Sequence, residues 1–219
     1  MTDLPTVSRR RLLATGLALA ASTGGLAAAD RPIRLVAFGD SLTAGYGLGP
    51  KDGFAPKLEA ALKAAGQAVT VIGAGVSGDT TDMGLARLEW SVPADADAVI
   101  VELGANDALR GLPPEEARSN LDAIVGKLRA RGQEVLVAGM LAPRNLGPAY
   151  VAAFDPIFPE IAAAHDALYY PFFLDGVAMD PTKTLPDGLH PNTRGVDEIV
   201  GRILPKVVEL LARVRARRP

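Results

Sequence analysis

Residues 33–44, IRLVAFGDSLTA, decide the architecture. Apart from Arg34, the first six are apolar without alternation, as a strand covered on both faces must be. Gly39 then permits a sharp turn into a helical run. The same sign recurs in VTVIG (69–73), AVIVELG (98–104), EVLVAGM (134–140) and ALYYPFF (167–173). Helical patterns separate these runs: residues 54–66, Thr81 to Trp90, 113–132 and 154–166, with 196–214 closing the chain. Pro113 and Pro114 stand where a helix can start. Strands joined by helical crossovers predict an α/β domain, a three-layer α/β/α sandwich on a five-stranded parallel sheet. Ligands of such sheets sit beyond the carboxyl ends of the strands, so the loops after each strand carry the functional reading.

The 219 residues are 48% hydrophobic and 22% charged, the balance of one ordinary globular domain. Residues 1–29 are expected to stand outside it. Arg9 to Arg11 precede a weakly apolar run that ends in Ala27-Ala28-Ala29, the three parts of a secretory signal. Ser8 before the arginines and Leu12-Leu13 after them resemble the twin-arginine type. A retained membrane anchor is the rival reading, but Gly16, Ser22, Thr23, Gly24 and Gly25 make the run too polar and too short. Cleavage near Ala29 is expected, with a domain over 30–219 and a periplasmic or secreted location. Cleavage removes three arginines and Asp3, which takes the net charge from −2 to −4. A mildly acidic chain argues against a nucleic-acid partner. Without cysteine there are no disulfides, thiolate metal sites or lipoprotein anchor. The basic end, LARVRARRP, is read as cations complementing a helix C-terminus and not as a polyanion patch.

Each loop has a bland reading beside a chemical one. Ser41, at the first strand-to-helix turn, is a helix cap or an exposed nucleophile. GAGVSG (73–78) fits the dinucleotide fingerprint at Gly73, Gly75 and Gly78, with Glu102 as a ribose acid; alternatively, Gly78 lets a backbone N–H approach a reacting oxygen. Asn106 is a turn residue or an oxyanion donor. In DGLHPN (187–192), Asp187 either caps its own turn or orients His190 as a base facing Ser41. The other histidine, His165, lies in an alanine-rich helix with nothing catalytic around it and is read as structural.

Together, GDSLTAGYG, GVSGDTT, ELGANDALRG and DGLHPN, in this order and at these separations, resemble the four blocks of the SGNH hydrolases, or GDSL esterases. The resemblance covers nearly all of the chain from Ile33 to the final helix. It is closest to the branch of periplasmic acyl-CoA thioesterase I, lysophospholipase L1 and arylesterase. It implies a flavodoxin-like fold and a serine esterase acting on acyl esters or thioesters. By resemblance, Ser41, His190 and Asp187 form the triad, while Ser41 N–H, Gly78 N–H and the Asn106 side chain form the oxyanion hole. Ala105 stands where relatives often have glycine. The loop LAPRNLGPAYVAAF (141–154) is expected to be a flexible cover for the acyl chain, with Leu146 and Tyr150 in its wall. No cofactor or metal is implied. The alternatives are a dinucleotide-binding oxidoreductase and an inactive acyl-binding module.

Overall fold

The structure is a computed structural model that describes residues 1–2 and 31–218; the signal-peptide reading lies outside the described residues. Its sheet consists of β1 (Ile33–Gly39), β2 (Val69–Gly75), β3 (Ala98–Glu102), β4 (Glu134–Ala138) and β5 (Leu168–Tyr170). All pairings are parallel, in the order β2-β1-β3-β4-β5. This is the flavodoxin-like order of a doubly wound sheet. The central strands β3 and β4 are buried at every position and β1 at all but Arg34. Edge strand β2 is mostly half-exposed, so its sequence carries Thr70 and three small residues, Gly73 to Gly75.

Eight α-helices cover the sheet within the described residues: α1 (Ser41–Ala44), α2 (Phe54–Ala64), α3 (Thr81–Ser91), α4 (Ala105–Leu109), α5 (Pro114–Ala130), α6 (Pro148–Phe154), α7 (Ile157–Ala164) and α8 (Thr193–Arg217). α2 packs against α8 on one face, while α3, α5 and α7 pack in series on the other. Phe38, Leu35 and Ile100 are fully buried at the centre of the core. Each such side chain contributes about 1.5–3 kcal/mol of burial free energy. The arginines at the end of α8 turn inward to the fold: Arg217 pairs with Glu134 at 2.6 Å and Arg218 with Asp97 at 3.0 Å.

The expected flexible loop 141–154 is largely ordered. Arg144–Leu146 form a 3₁₀ turn, and Pro148 starts α6 as its first residue. Proline is suited to that position because the first N–H of a helix has no partner within it. Tyr150 then stacks on Phe154, which meets Phe158 edge to face, and this apolar row outweighs the Gly/Pro content.

Candidate active site

Strand register brings the site loops to one level: Gly39 at the end of β1 pairs with Gly75 on one side and Glu102 on the other. β1 continues at once into α1. A Cβ on Gly39 would lie 2.3 Å from Thr43 Oγ1 and 2.5 Å from the Glu102 carbonyl oxygen, so this turn admits only glycine. The cap of α1 is Asp40 and not Ser41, because Asp40 Oδ1 accepts from Leu42 N at 3.0 Å. Ser41 is therefore released from capping, as the first helical residue. It is 8% exposed, with its hydroxyl at the mouth of a cleft.

Opposite it stands His190, carried by a short antiparallel arm bridged between Thr184 and Pro191. The arm is closed by Leu185 N donating to the His190 carbonyl at 2.7 Å and Asn192 N donating to Lys183 at 2.9 Å. Asn192 caps α8 through Oδ1 while its amide donates back to Thr182 and Thr184, fixing the arm to the helix. At the tip, His190 Nε2 lies 2.9 Å from Ser41 Oγ and Nδ1 lies 2.7 Å from Asp187 Oδ2. The other carboxylate oxygen of Asp187 accepts from Leu189 N and His190 N at 2.9 and 3.0 Å. These backbone donors, and then the imidazole, pull Asp187 down to about 2. It remains an anion throughout the range in which a histidine base operates. The Tyr46 ring lies against the imidazole, centroid to centroid 4.4 Å.

The loop after β2 holds Gly78 at φ +88°, a left-handed conformation that side chains avoid. Arg110 Nη2 donates to the Gly78 carbonyl at 2.7 Å, and Asn106 Nδ2 donates to the Asp79 carbonyl at 3.0 Å. The loops after β2 and β3 are thus joined. Beneath them Arg87, 5% exposed, pairs with the Asp79 carboxylate, donates to the Gly39 and Ala74 carbonyls, and sits 4.3 Å from the Phe38 ring.

Under Ser41 two carboxyl groups are completely buried, Asp40 and Glu102. Glu102 accepts from Thr43 Oγ1 at 2.7 Å, and desolvation followed by the Asp40 charge drives it well above the usual carboxylate range. Asp40 is raised to about 6, chiefly by desolvation, against the lowering effect of Leu42 N and the Asn106 amide. A raised carboxyl adds stability that is complete below its unfolded value near 3.8 and disappears as pH climbs through 6. Asp40→Asn is expected to flatten the fall of unfolding free energy between pH 4 and 7.5 by up to about 3 kcal/mol. Urea unfolding at the two pH values measures it; equal slopes in both proteins would contradict the assignment.

A cleft of about 260 Å³ opens between these loops, bordered by Ser41, Asn106 and His190 and by apolar side chains including Leu109, Met140, Leu141 and Phe172. Gly78 and Asp187 do not border it, although Asp187 shares its loop with Leu189 and His190, which do. Leu146 and Tyr150 do not border it. Leu146 belongs to the 3₁₀ turn, and the Tyr150 hydroxyl donates to the Leu112 carbonyl at 2.7 Å. Leu174 and Leu189 take the place expected for them, and neither carried a sequence signal beyond apolarity. The role of Asp40 was also missed, although an aspartate immediately before a helical run is a capping sign.

The dinucleotide reading fails on two counts. Gly73 and Gly75 are strand residues paired in register with Ala37 and Gly39, and α3 does not begin until Thr81, so no glycine turn opens onto a helix. Glu102 is sealed in the interior and cannot meet a ribose. His165 is remote from the site and binds Asp122 of α5 at 2.7 Å.

Comparison with known proteins agrees with this geometry. Residues 37–197 match the GDSL-like lipase/acylhydrolase family. The chain is 37% identical to an arylesterase of Vibrio mimicus over 84% of its own length and 93% of that protein's. It is also 37% identical to thioesterase 1/protease 1/lysophospholipase L1 of Escherichia coli strain K12, over 76% of this chain and 77% of that one. The crystal structure of AlinE4, an SGNH-hydrolase family esterase, superposes with a TM-score of 0.69 at 46% identity, covering 83% of this chain and 97% of the other. A family match across most of the sheet, joined to relatives of this identity over most of both chains, leads to one assignment: the chain belongs to the GDSL-like lipase/acylhydrolase family and is a carboxylic ester hydrolase.

Proposed function

We propose that Ser41, His190 and Asp187 form the catalytic triad of this hydrolase, acting on esters or thioesters of acyl chains. The observation that carries the reading is the relay itself, Ser41 Oγ to His190 Nε2 at 2.9 Å and His190 Nδ1 to Asp187 at 2.7 Å. His190 takes the hydroxyl proton as Ser41 Oγ attacks the acyl carbonyl, then gives it to the departing alcohol or thiol. A water repeats the sequence on the acyl-enzyme and releases the acid. Asp187 fixes the imidazole with its proton on Nδ1 and stabilises the imidazolium. Ser41 N–H, Gly78 N–H and Asn106 Nδ2 are the donors for the oxyanion.

The apolar lining of the cleft supports an acyl group as the bound part, and the names of the relatives support aryl ester, thioester and lysophospholipid substrates. The wall is assigned to Leu109, Leu141, Leu174 and Leu189. No helix among the described residues is long and apolar enough to cross a membrane. Export to a periplasmic or secreted location is part of the proposal, and it rests on the arginine and alanine motifs before residue 30.

A p-nitrophenyl ester series from acetate to palmitate tests the reading. Hydrolysis with an optimum at one chain length is expected, and no turnover of any member would end it. Asn106→Ala is expected to lower kcat by about 10² to 10³ in a folded protein, the usual consequence of losing one oxyanion donor. Turnover within threefold of the parent would remove Asn106 from the hole.

A further inference from the structure

We propose that Asp40 is a positioning residue that locks the Asn106 side-chain amide with its N–H₂ end toward the nucleophile. An asparagine amide has two ends of opposite character, and only the donor end stabilises an oxyanion. Two acceptors select that end here; they take both amide hydrogens in the resting site, and one of these bonds gives way to the oxyanion as charge develops. Asn106 Nδ2 lies 3.1 Å from Asp40 Oδ2 and 3.0 Å from the Asp79 carbonyl. A rotated amide would set its own oxygen against both.

The Asp79 carbonyl belongs to a loop fixed by the buried Arg87 pair, whereas Asp40 is the residue adjoining the nucleophile. Its two oxygens divide the work: Oδ1 caps α1 at Leu42 N, and Oδ2 holds Asn106. One carboxylate thereby ties the backbone that carries Ser41 to the side chain that receives the charge. For this the group must only accept, and so must be ionised. Glu102, Asp79 and His190 are the charged or titratable groups facing it, with Arg87 neutralising Asp79. Burial and then the Asp40 charge push Glu102 well above the usual carboxylate range, which favours the negative charge on Asp40.

The inference rests on the oxyanion-hole assignment of Asn106, and a double-mutant cycle separates the two. Asp40→Asn presents N–H to the amide and permits it to turn over. Asp40→Ser retains a capping oxygen but withdraws from Asn106. Both are expected to lower kcat on p-nitrophenyl butyrate at least about tenfold, with KM within about twofold. In the Asn106→Ala background neither should lower kcat by more than about twofold further, because the residue it positions is gone. A loss in that background equal to the loss in the parent would overturn the inference, as would unchanged kcat in both single variants. If Asn106→Ala itself turns over normally, the oxyanion-hole assignment fails first, a distinct result. The melting temperature of Asp40→Ser, expected to stay near the parent's, distinguishes misplacement from unfolding.

Discussion

Ser41→Ala is expected to remain folded and to lose about 10⁵ to 10⁶ in kcat on any ester that the parent hydrolyses. The size follows from the unity of the relay. Once Oγ is gone, His190 has no hydroxyl to deprotonate and no acyl-enzyme can form, so only bound-state effects on a direct water attack survive. The fold should tolerate the change well. Ser41 Oγ packs no core, and the cap of α1 belongs to the neighbouring Asp40. Alanine also has a good helix propensity at the first helical position. Stopped assays on p-nitrophenyl acetate, with circular dichroism and a melting curve on the same preparation, make the measurement. An organophosphonate that forms a bond to the active-site serine should label the parent stoichiometrically and the variant not at all. Activity within tenfold of the parent in the variant would return Ser41 to a merely structural place.

Much of this site was legible before any geometry, for a physical reason. A doubly wound sheet gathers the loops after its strands at one edge, so Ser41, Gly78 and Asn106 had to fall on that edge once the runs before them were read as strands of one parallel sheet. Their apolar runs made that identification because central strands have no solvent face on which to place polar residues. DGLHPN was legible for the opposite reason: its Gly and Pro exclude regular structure, leaving Asp187 and His190 free to face the site. The proposed acyl wall was not legible. Leu174 and Leu189 come from separate loops and have no periodicity, and their meeting with Leu109 and Leu141 depends on tertiary packing. Leu146 and Tyr150 were expected there because the family resemblance gave their Gly/Pro loop an acyl-covering role, but an aromatic row with Phe154 and Phe158 draws that loop into a helix and turns Tyr150 toward Leu112. The fingerprint glycines misled in a related way. Gly73 and Gly75 are small because α1 and α2 press on the edge strand; a Cβ on Gly75 would lie 2.3 Å from Ala44 N, and one on Gly73 3.3 Å from the Ala55 Cβ. The pattern was that of close packing and not of a phosphate cradle.

Asp187→Asn is expected to lower kcat by about 10⁴ while leaving the arm in place, because it reverses the proton on His190. In the parent, Asp187 Oδ1 accepts from Leu189 N and His190 N, and Oδ2 faces Nδ1. An asparagine satisfies the two backbone donors with its carbonyl oxygen, which obliges its N–H₂ end to point at the imidazole. Nδ1 must then accept, the ring proton moves to Nε2, and the nitrogen facing Ser41 Oγ becomes a donor that cannot take a proton. KM should change little, since Asp187 does not border the cleft. Stability should fall only slightly. Asp187 titrates at about 2 in the fold, so its ionised form stabilises the native state above its ordinary value near 3.8, and that contribution is lost as pH falls through 2. At neutral pH the variant forgoes it, but the carboxylate is 37% exposed and solvent screens most of the effect. Because the parent carboxylate is ionised far below neutrality, its own titration cannot produce a loss of activity between pH 5 and 7. Comparing kcat and KM of parent and variant at pH 7.5, beside their melting temperatures, decides the role. A tenfold loss or less would mean that the turn alone orients His190, whereas a loss near 10⁴ at constant KM identifies Asp187 as the residue that sets the tautomer of the base.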